Sequence, residues 1–408
     1  METGLITWAY PPEKSGLSRA AREIAQALAA AGHRVRVFTF DRSDRTMDGP
    51  VEVIGCAPAR ADGWRRLAAI GHAAAPWRIW QAVSRAHAER PLDVIEGTNW
   101  YAPGLFVALL GPAPYVTRNS TPVATSAAPA RTIRDRIDLA AARIAERRAA
   151  YSSAGTISNT VAHGEKIAKL YGIPAPGPRH AVIGLSLPPE IVAVGMAADY
   201  PDTQPVELLF IGRAEARKGY DAILGALPIL AADADAGEIP DFRMTMIGLL
   251  PEDLGDLPDT VSHRLRLFHR VDECDLHRHL AAAHIVVAPS RYESFGLVYQ
   301  EAMIFGRPVV ACAEDPSARL FVGDSGAGLL AARCDGVALA APLARLIASA
   351  ELRDEFHHRS RSAAGRFTRE TLATETIAAY REAIAAGTKG RSRAASSPTR
   401  PASRSIDS

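Results

Sequence analysis

The chain has 408 residues, 48% of them hydrophobic and 23% charged, with a formal net charge of +2. That length is too great for a single core and suits two domains of ordinary size. The balanced charge lacks the basic excess of a nucleic-acid binder, no apolar run is long enough to span a membrane, and Gly4–Ala9 has no basic leader of a signal peptide. Four cysteines without paired spacing suit free thiols in a reducing compartment, so a cytoplasmic protein is expected.

Taken in order, Leu5–Ala9 reads as a strand, Tyr10–Gly16 as a loop, and Leu17–Ala31 as a helix spaced by Leu17, Ile24 and Leu28 and stopped at Gly32. Arg34–Phe40 is the next strand, so Ser15-Gly16 occupies a Rossmann-like turn from strand to helix. Val51–Ile54 is a further strand. The segments Asp93–Gly104 and Tyr115–Pro122 each run from an apolar strand into a polar loop. Open α/β sheets bind ligands at the carboxyl ends of their strands, which singles out Glu96, Trp100, Arg118, Asn119 and Ser120. Arg131–Arg148 is a basic amphipathic helix in which Ile133, Ile137 and Ile144 are spaced for burial. Asp135, Asp138 and Glu146 dilute its charge, so a solvated face is favoured over membrane contact. Thr156–Thr160 is a strand and turn, followed by a helix to Tyr171.

Val182–Pro189 opens a linker that ends in the Pro/Asp-rich Tyr200–Pro205. Val206–Arg213 is a buried strand entering a loop where Arg213 and Lys218 precede the helix Tyr220–Leu230; two cations at a strand end are suited to neutralising a diphosphate. Phe242–Ile247 and Leu265–Phe268 are strands, the second followed by His269-Arg270-Val271. Ile285–Pro289, the helical Leu297–Phe305 and Val309–Cys312 then form a right-handed βαβ unit. Glu293 lies in its loop, where the N–H groups of Gly296, Leu297 and Val298 can meet an anion, and Glu301 lies one turn inside the helix. Two carboxylates flanking a phosphate site suit a ligand with hydroxyls at both ends, as in a sugar nucleotide. Asp233-Ala-Asp235 trails an Ala-rich helix, and Cys274, His277 and His279 point to different helix faces, so neither is read as a metal site. Thr368–Ala386 is a terminal amphipathic helix, and the Ser/Pro/Arg-rich 387–408 is expected to be disordered.

Glu293 and Glu301 match a Glu-x7-Glu motif, with Ser294-Phe-Gly296 and Glu301-Ala-Met303 in place, and here the chain resembles the family-4 retaining glycosyltransferases. The resemblance implies the α/β GT-B fold: two doubly wound Rossmann-like domains facing across a cleft. Residues 1–187 would be the acceptor-side domain, 188–205 the linker, 206–368 the nucleotide-sugar domain, and 369–386 a helix returning to the first domain. It also implies that Glu293 holds sugar hydroxyls, the Phe295–Val298 backbone (Phe295, Gly296, Leu297, Val298) faces sugar and diphosphate, Glu301 holds the ribose, and Arg213 and Lys218 clamp the leaving group. Gly16, in a loop that usually has two glycines, and Val271, beside the base, complete the donor side. Many relatives have a histidine in the loop after Tyr115–Arg118; this chain has Asn119 and Ser120, so Glu96, Trp100, Arg118, Asn119 and Ser120 stand as acceptor-side candidates. Expected, then, is retaining hexosyl transfer from a nucleotide-diphosphate sugar, UDP first, to an acceptor hydroxyl of a small polar molecule or natural product, with no cofactor and no metal. The alternatives are a sugar-nucleotide epimerase of the same fold, or a transferase directed to lipid or glycan.

Overall fold

Alternating apolar strands and helices resolve into two sheets in a computed structural model that describes residues 1–13, 15–58 and 67–395. The first comprises β1 (Glu2–Thr7), β2 (Arg34–Thr39), β3 (Arg45–Asp48), β4 (Val51–Gly55), β5 (Val94–Thr98), β6 (Tyr115–Arg118), β7 (Gly155–Ser158) and β8 (His180–Val182). Its order is β3-β4-β2-β1-β5-β6-β7-β8, parallel except for the β3–β4 edge. The second comprises β9 (Val206–Ile211), β10 (Phe242–Ile247), β11 (Leu265–Phe268), β12 (Ile285–Ala288), β13 (Val309–Cys312) and β14 (Gly328–Ala331), in the order β11-β10-β9-β12-β13-β14. Each is doubly wound. The chain leaves β1 for β2 on one side and returns as β5 on the other; β9 does the same with β10 and β12. Such switch points open a crevice at the carboxyl ends of the strands.

Both faces of each sheet are covered, which is why the strands read as continuous apolar runs. Leu209, Val286 and Val309 share a core with Leu5, Val37, Val94 and Val116 of the first sheet. Leu208, Phe210, Met244, Met246 and Val287 face the other way into a second core. The reverse face of the first sheet carries Ile6, Phe38, Ile95 and Tyr115 under Ile79 and Val83. The stretch read as a linker contains a helix, Pro189–Ala197, started by proline at its first position.

The terminal helix, Arg369–Ala395, packs on the first sheet and on the opening helix, Gly16–Ala30. It continues past Ala386, where the sequence reading ended it; the remainder of the expected disordered tail, 396–408, lies outside the described residues. Its approach is fastened by Glu23 of the opening helix, only 3% exposed. That carboxylate accepts from Ser186 Oγ at 2.7 Å and from Arg369 at 2.9 and 2.5 Å, so both connections between the sheets are tied to one group. Farther along, Glu96 accepts from Arg118 Nε at 2.8 Å and from Tyr380 hydroxyl at 2.9 Å, while Arg118 donates to Thr376 Oγ1 at 2.8 Å. All four side chains are buried. Glu96 and Arg118, expected on the acceptor side, therefore brace the terminal helix.

The helix Ile133–Ser152 also departs from expectation. Ile133, Ile137 and Ile144 are exposed, and the face turned to the protein carries Ala142, Glu146, Ala149 and Ala150. Small residues permit close packing, so spacing alone identified the stripe without identifying which side the fold covers.

Candidate active site

The loop after β9 and the loop after β12 meet at the second switch point. A 3-10 turn, Ala216–Lys218, ends at Gly219 with φ of 70°. A Cβ there would lie 2.0 Å from the Pro289 carbonyl oxygen, so only glycine lets the two loops touch. Arg291 holds the contact from the other side, donating to both Asp221 oxygens at 2.8 and 2.7 Å and to the Cys334 carbonyl at 2.9 Å. This clamp presents Lys218, whose Nζ is 2.5 Å from Glu293 Oε1.

Glu293 is buried, and Oε1 also accepts from Ser290 Oγ at 2.8 Å, with Arg217 3.4 Å from Oε2. Burial alone would raise its carboxyl; Lys218 and Arg217 outweigh that and hold it below the ordinary carboxylate range. Lys218 and Glu293 are thus brought together as two of the sequence-predicted residues. Arg213 is not: its side chain is 78% exposed and pairs with Glu215 at 2.6 Å. Arg217, which sequence reasoning passed over, takes the inner position.

Gly296, with φ of 92°, starts the helix Leu297–Ile304, and the first N–H groups of that helix have no intrahelical acceptor. Phe295 packs its ring against Phe321 and Phe367 at 5.0 and 5.2 Å, leaving only its backbone to the crevice; Leu297 and Val298 are half-buried. Glu301 is buried and ion-paired to Arg19 of the opening helix, across the gap between the sheets. Gly16 begins that helix, and a Cβ there would meet no atom within 4 Å. Val271 is half-buried beyond the edge strand β11, two strands from β9.

Asp315, after β13, is a further residue the sequence did not single out in this role. It accepts from the Glu293 N–H at 3.0 Å and from the Tyr299 hydroxyl at 2.8 Å, fixing the loop that carries Glu293. Burial first, and then the charge of Glu293, push its carboxyl up to about 6. Lys166, from the helix Val161–Tyr171 on the first sheet, lies 3.4 Å from the centre of the Tyr292 ring and brings a cation of the other domain to the same loop.

On the facing side, Trp100 Nε1 donates to Ser126 Oγ at 3.1 Å, and its carbonyl accepts from Trp8 Nε1 at 2.6 Å. Tyr101 stands edge-on to Trp100 at 4.9 Å, so an aromatic wall rises from the ends of β1 and β5. Ser120 donates its N–H and hydroxyl to Asn99 Oδ1 at 2.7 and 2.9 Å, and the buried Asn119 donates to Ser158 Oγ at 3.1 Å. Tyr101 and Ala102 have φ of 53° and 43°, a left-handed pair without glycine. Glu146 holds them there: fully buried, it accepts from the N–H groups of Tyr101 and Val123 at 3.0 and 3.1 Å and from the Tyr171 hydroxyl at 2.9 Å.

Burial raises the Glu146 carboxyl to about 7, the hydrogen bonds it accepts offsetting only part of the effect. A carboxyl raised on folding stabilises fully below its unfolded titration near ~4.3, and that contribution is lost as pH rises through its folded value. On acidification from pH 8 to 6, the melting temperature of the wild type should therefore gain on that of Glu146→Gln. A constant difference in calorimetry across that range would show that Glu146 is ionised throughout.

Residues 199–363 match the family model described as glycosyl transferases group 1, and residues 15–185 match the glycosyl transferase 4-like domain. Among curated relatives, a phosphatidyl-myo-inositol mannosyltransferase of Mycolicibacterium smegmatis is 32% identical over 209 residues, 49% of this chain and 53% of that protein. The chain thus spans about half the length of that relative. A glycogen synthase of Mycobacterium tuberculosis is 28% identical over 340 residues, 75% of this chain and 76% of that protein. Among solved structures, sucrose-phosphate synthase from Thermosynechococcus elongatus superposes with a TM-score of 0.72 at 21% identity, covering 94% of this chain and 99% of that one. Anabaena HepE in complex with UDP and glucose superposes with a TM-score of 0.62 at 19% identity, covering 93% and 98%. At such identities the likeness carries the fold, two Rossmann-like domains in the GT-B arrangement.

Proposed function

For a chain that belongs to the group 1 glycosyltransferases of the GT-B fold, we propose transfer of a hexosyl group from a nucleotide-diphosphate sugar, UDP-linked by preference, to an acceptor hydroxyl with retention of anomeric configuration. The observation that carries this reading is the buried Glu293 held between Lys218 and Arg217, beside a helix start that offers free N–H groups. In this reading the diphosphate lies against those N–H groups with Lys218 and Arg217 at its oxygens, and Arg213 stands at the exposed rim. Glu293 takes sugar hydroxyls, and Glu301 exchanges its bond to Arg19 for the ribose. Residues 206–368 are then the donor domain, 1–187 the acceptor domain, and 188–205 the link.

The bond from the anomeric carbon to the diphosphate oxygen breaks as the acceptor oxygen bonds to that carbon from the same face. The acceptor proton passes to the departing phosphate, whose growing charge the cations and helix dipole stabilise. Glu293 orients the sugar and forms no bond to it. The wall of Trp8, Trp100 and Tyr101, with Ser120 beside it and Asn119 buried behind, suits the apolar face and hydroxyls of a ring-shaped polyol.

The test is product analysis. The protein is incubated with a panel of nucleotide sugars and polyol acceptors, with mass spectrometry for the product and NMR for its anomeric configuration. A new glycoside with the donor's configuration is expected. An inverted product, an epimerised donor without transfer, or tight donor binding without turnover would each overturn the reading.

A further inference from the structure

Two of the four cysteines meet behind the loop that carries Lys218. Cys312 ends β13, Cys334 follows the neighbouring parallel strand β14, and both are buried. The Cys312 thiol donates to the Arg333 carbonyl at 3.7 Å, one residue from Cys334, and the two thiols lie within hydrogen-bonding reach of each other. The Cys334 thiol donates to the Pro289 carbonyl at 2.8 Å. That carbonyl is the one Gly219 approaches, and a Cβ at Gly219 would also lie 2.8 Å from Cys334 Sγ. The Cys334 carbonyl in turn accepts from Arg291 at 2.9 Å, so Cys334 is packed into the contact that presents Lys218. Its bond with Cys312 lowers the Cys334 thiol; burial opposes this, the Arg291 guanidinium adds to it, and the thiol ends below its ordinary value. Cys334 is therefore the better nucleophile of the two. Neither thiol has a part in the proposed transfer.

We propose that Cys312 and Cys334 are a redox-sensitive pair, closed to a disulfide by a peroxide, and that closing it loosens the loop that carries Lys218. The Cys334 sulfur attacks one peroxide oxygen and the O–O bond breaks. The departing hydroxide takes the thiol proton and leaves as water, and Cys334 becomes a sulfenic acid. The Cys312 sulfur then attacks the Cys334 sulfur. The S–O bond breaks as the S–S bond forms, and the Cys312 proton leaves with the hydroxyl as a second water. The two electrons lost by the thiols reduce the peroxide. Cys334 then has no proton for the Pro289 carbonyl, and its sulfur is drawn toward β13 and away from Gly219. Only the effect on turnover rests on the proposed glycosyl transfer; the new bond and its effect on the loop are read without it.

The full chain carrying Cys274→Ser, which removes the exposed thiol, is treated with hydrogen peroxide and part of it then with dithiothreitol. Peptide mapping by mass spectrometry should find the Cys312 and Cys334 peptides joined, two hydrogens lighter, and separate again after the reductant. The N–H groups of Lys218 and Arg291 donate to the Glu215 and Arg217 carbonyls at 2.7 and 2.8 Å, and their hydrogen exchange should quicken in the joined form. Cys312→Ala keeps the bond from Cys334 to Pro289 and removes the partner, so its exchange should match the reduced protein before and after peroxide. Turnover of the joined form should fall by about tenfold to a hundredfold, the cost of a displaced catalytic group, and return with dithiothreitol. Cysteines left unjoined at peroxide concentrations that oxidise Cys274 of the wild type would overturn the inference. So would joined cysteines with unchanged exchange at Lys218 and Arg291, or exchange that quickens in Cys312→Ala as well. A chain that joins and loosens in this way but transfers no sugar supports the redox pair and overturns the proposed function alone.

Discussion

Lys218→Ala should lower turnover on the order of a hundredfold or more while the donor Michaelis constant moves far less. Lys218 meets the diphosphate in the proposed reaction as its bond to sugar breaks, so its help grows with the charge it faces. The loss of one preorganised charge-stabilising group is typically of that size. The structure adds a second cost, because Glu293 sits 2.5 Å from the ammonium and would lose its nearest cation. Two controls separate turnover from binding. Arg213→Ala should do little, since that side chain is 78% exposed and paired to Glu215. Glu301→Ala should mainly raise the donor Michaelis constant, because the ribose hydrogen bonds proposed for it would exist in ground and transition state alike. Steady-state kinetics decide the matter: if Lys218→Ala weakens donor binding as much as turnover, the lysine holds the substrate and not the leaving group.

Arg118→Ala should lower stability by about 3–5 kcal/mol, the cost of leaving a buried carboxylate without its cation. In a domain of this size that corresponds to a fall of about 10 °C in melting temperature. Glu96, left with Tyr380 alone, and the Thr376 hydroxyl lose a shared donor beneath the terminal helix. Pairing Arg118→Met with Glu96→Leu should recover much of the loss, since removing both charges removes the unpaired one. Scanning calorimetry of the single and double variants tests this. A wild-type melting temperature in Arg118→Ala, with a raised acceptor Michaelis constant, would return the arginine to the ligand side.

The contrast between those residues shows what the sequence made legible. Lys218 and Glu293 could be found because each lies at a fixed offset from an apolar strand, and strands such as Phe242–Ile247, Leu265–Phe268 and Val309–Cys312 are plain runs of core residues. Arg217 could not be preferred to Arg213, because which of them points inward depends on a 3-10 turn and on the left-handed Gly219, and an irregular loop has no period to read. Glu96 and Arg118 sit where a ligand would be expected, but their partners, Tyr380 and Thr376, lie more than 250 residues later. Local pattern carries no trace of such a pairing. Glu146 was read as a charge on a solvated face; its burial depends on two loops folding over it. Asp315 likewise gains its place beside the site from Glu293 and Tyr299, the local contact of its carboxylate being its cap on the Ser317 N–H.

The terminal helix has a consequence for synthesis. Residues 1–187 leave the ribosome first, yet one face of their sheet is completed by Leu372, Ala373, Tyr380 and Ala383. At ~5–20 residues per second those residues emerge on the order of tens of seconds later. Until then Leu5, Val94 and Val116 form part of an unfinished surface, and Glu23 has no Arg369 to hold. The half made first is the half finished last. A nascent chain halted before Arg369 would present a folded second sheet beside an uncovered first one, the stage at which a chaperone has most apolar surface to bind.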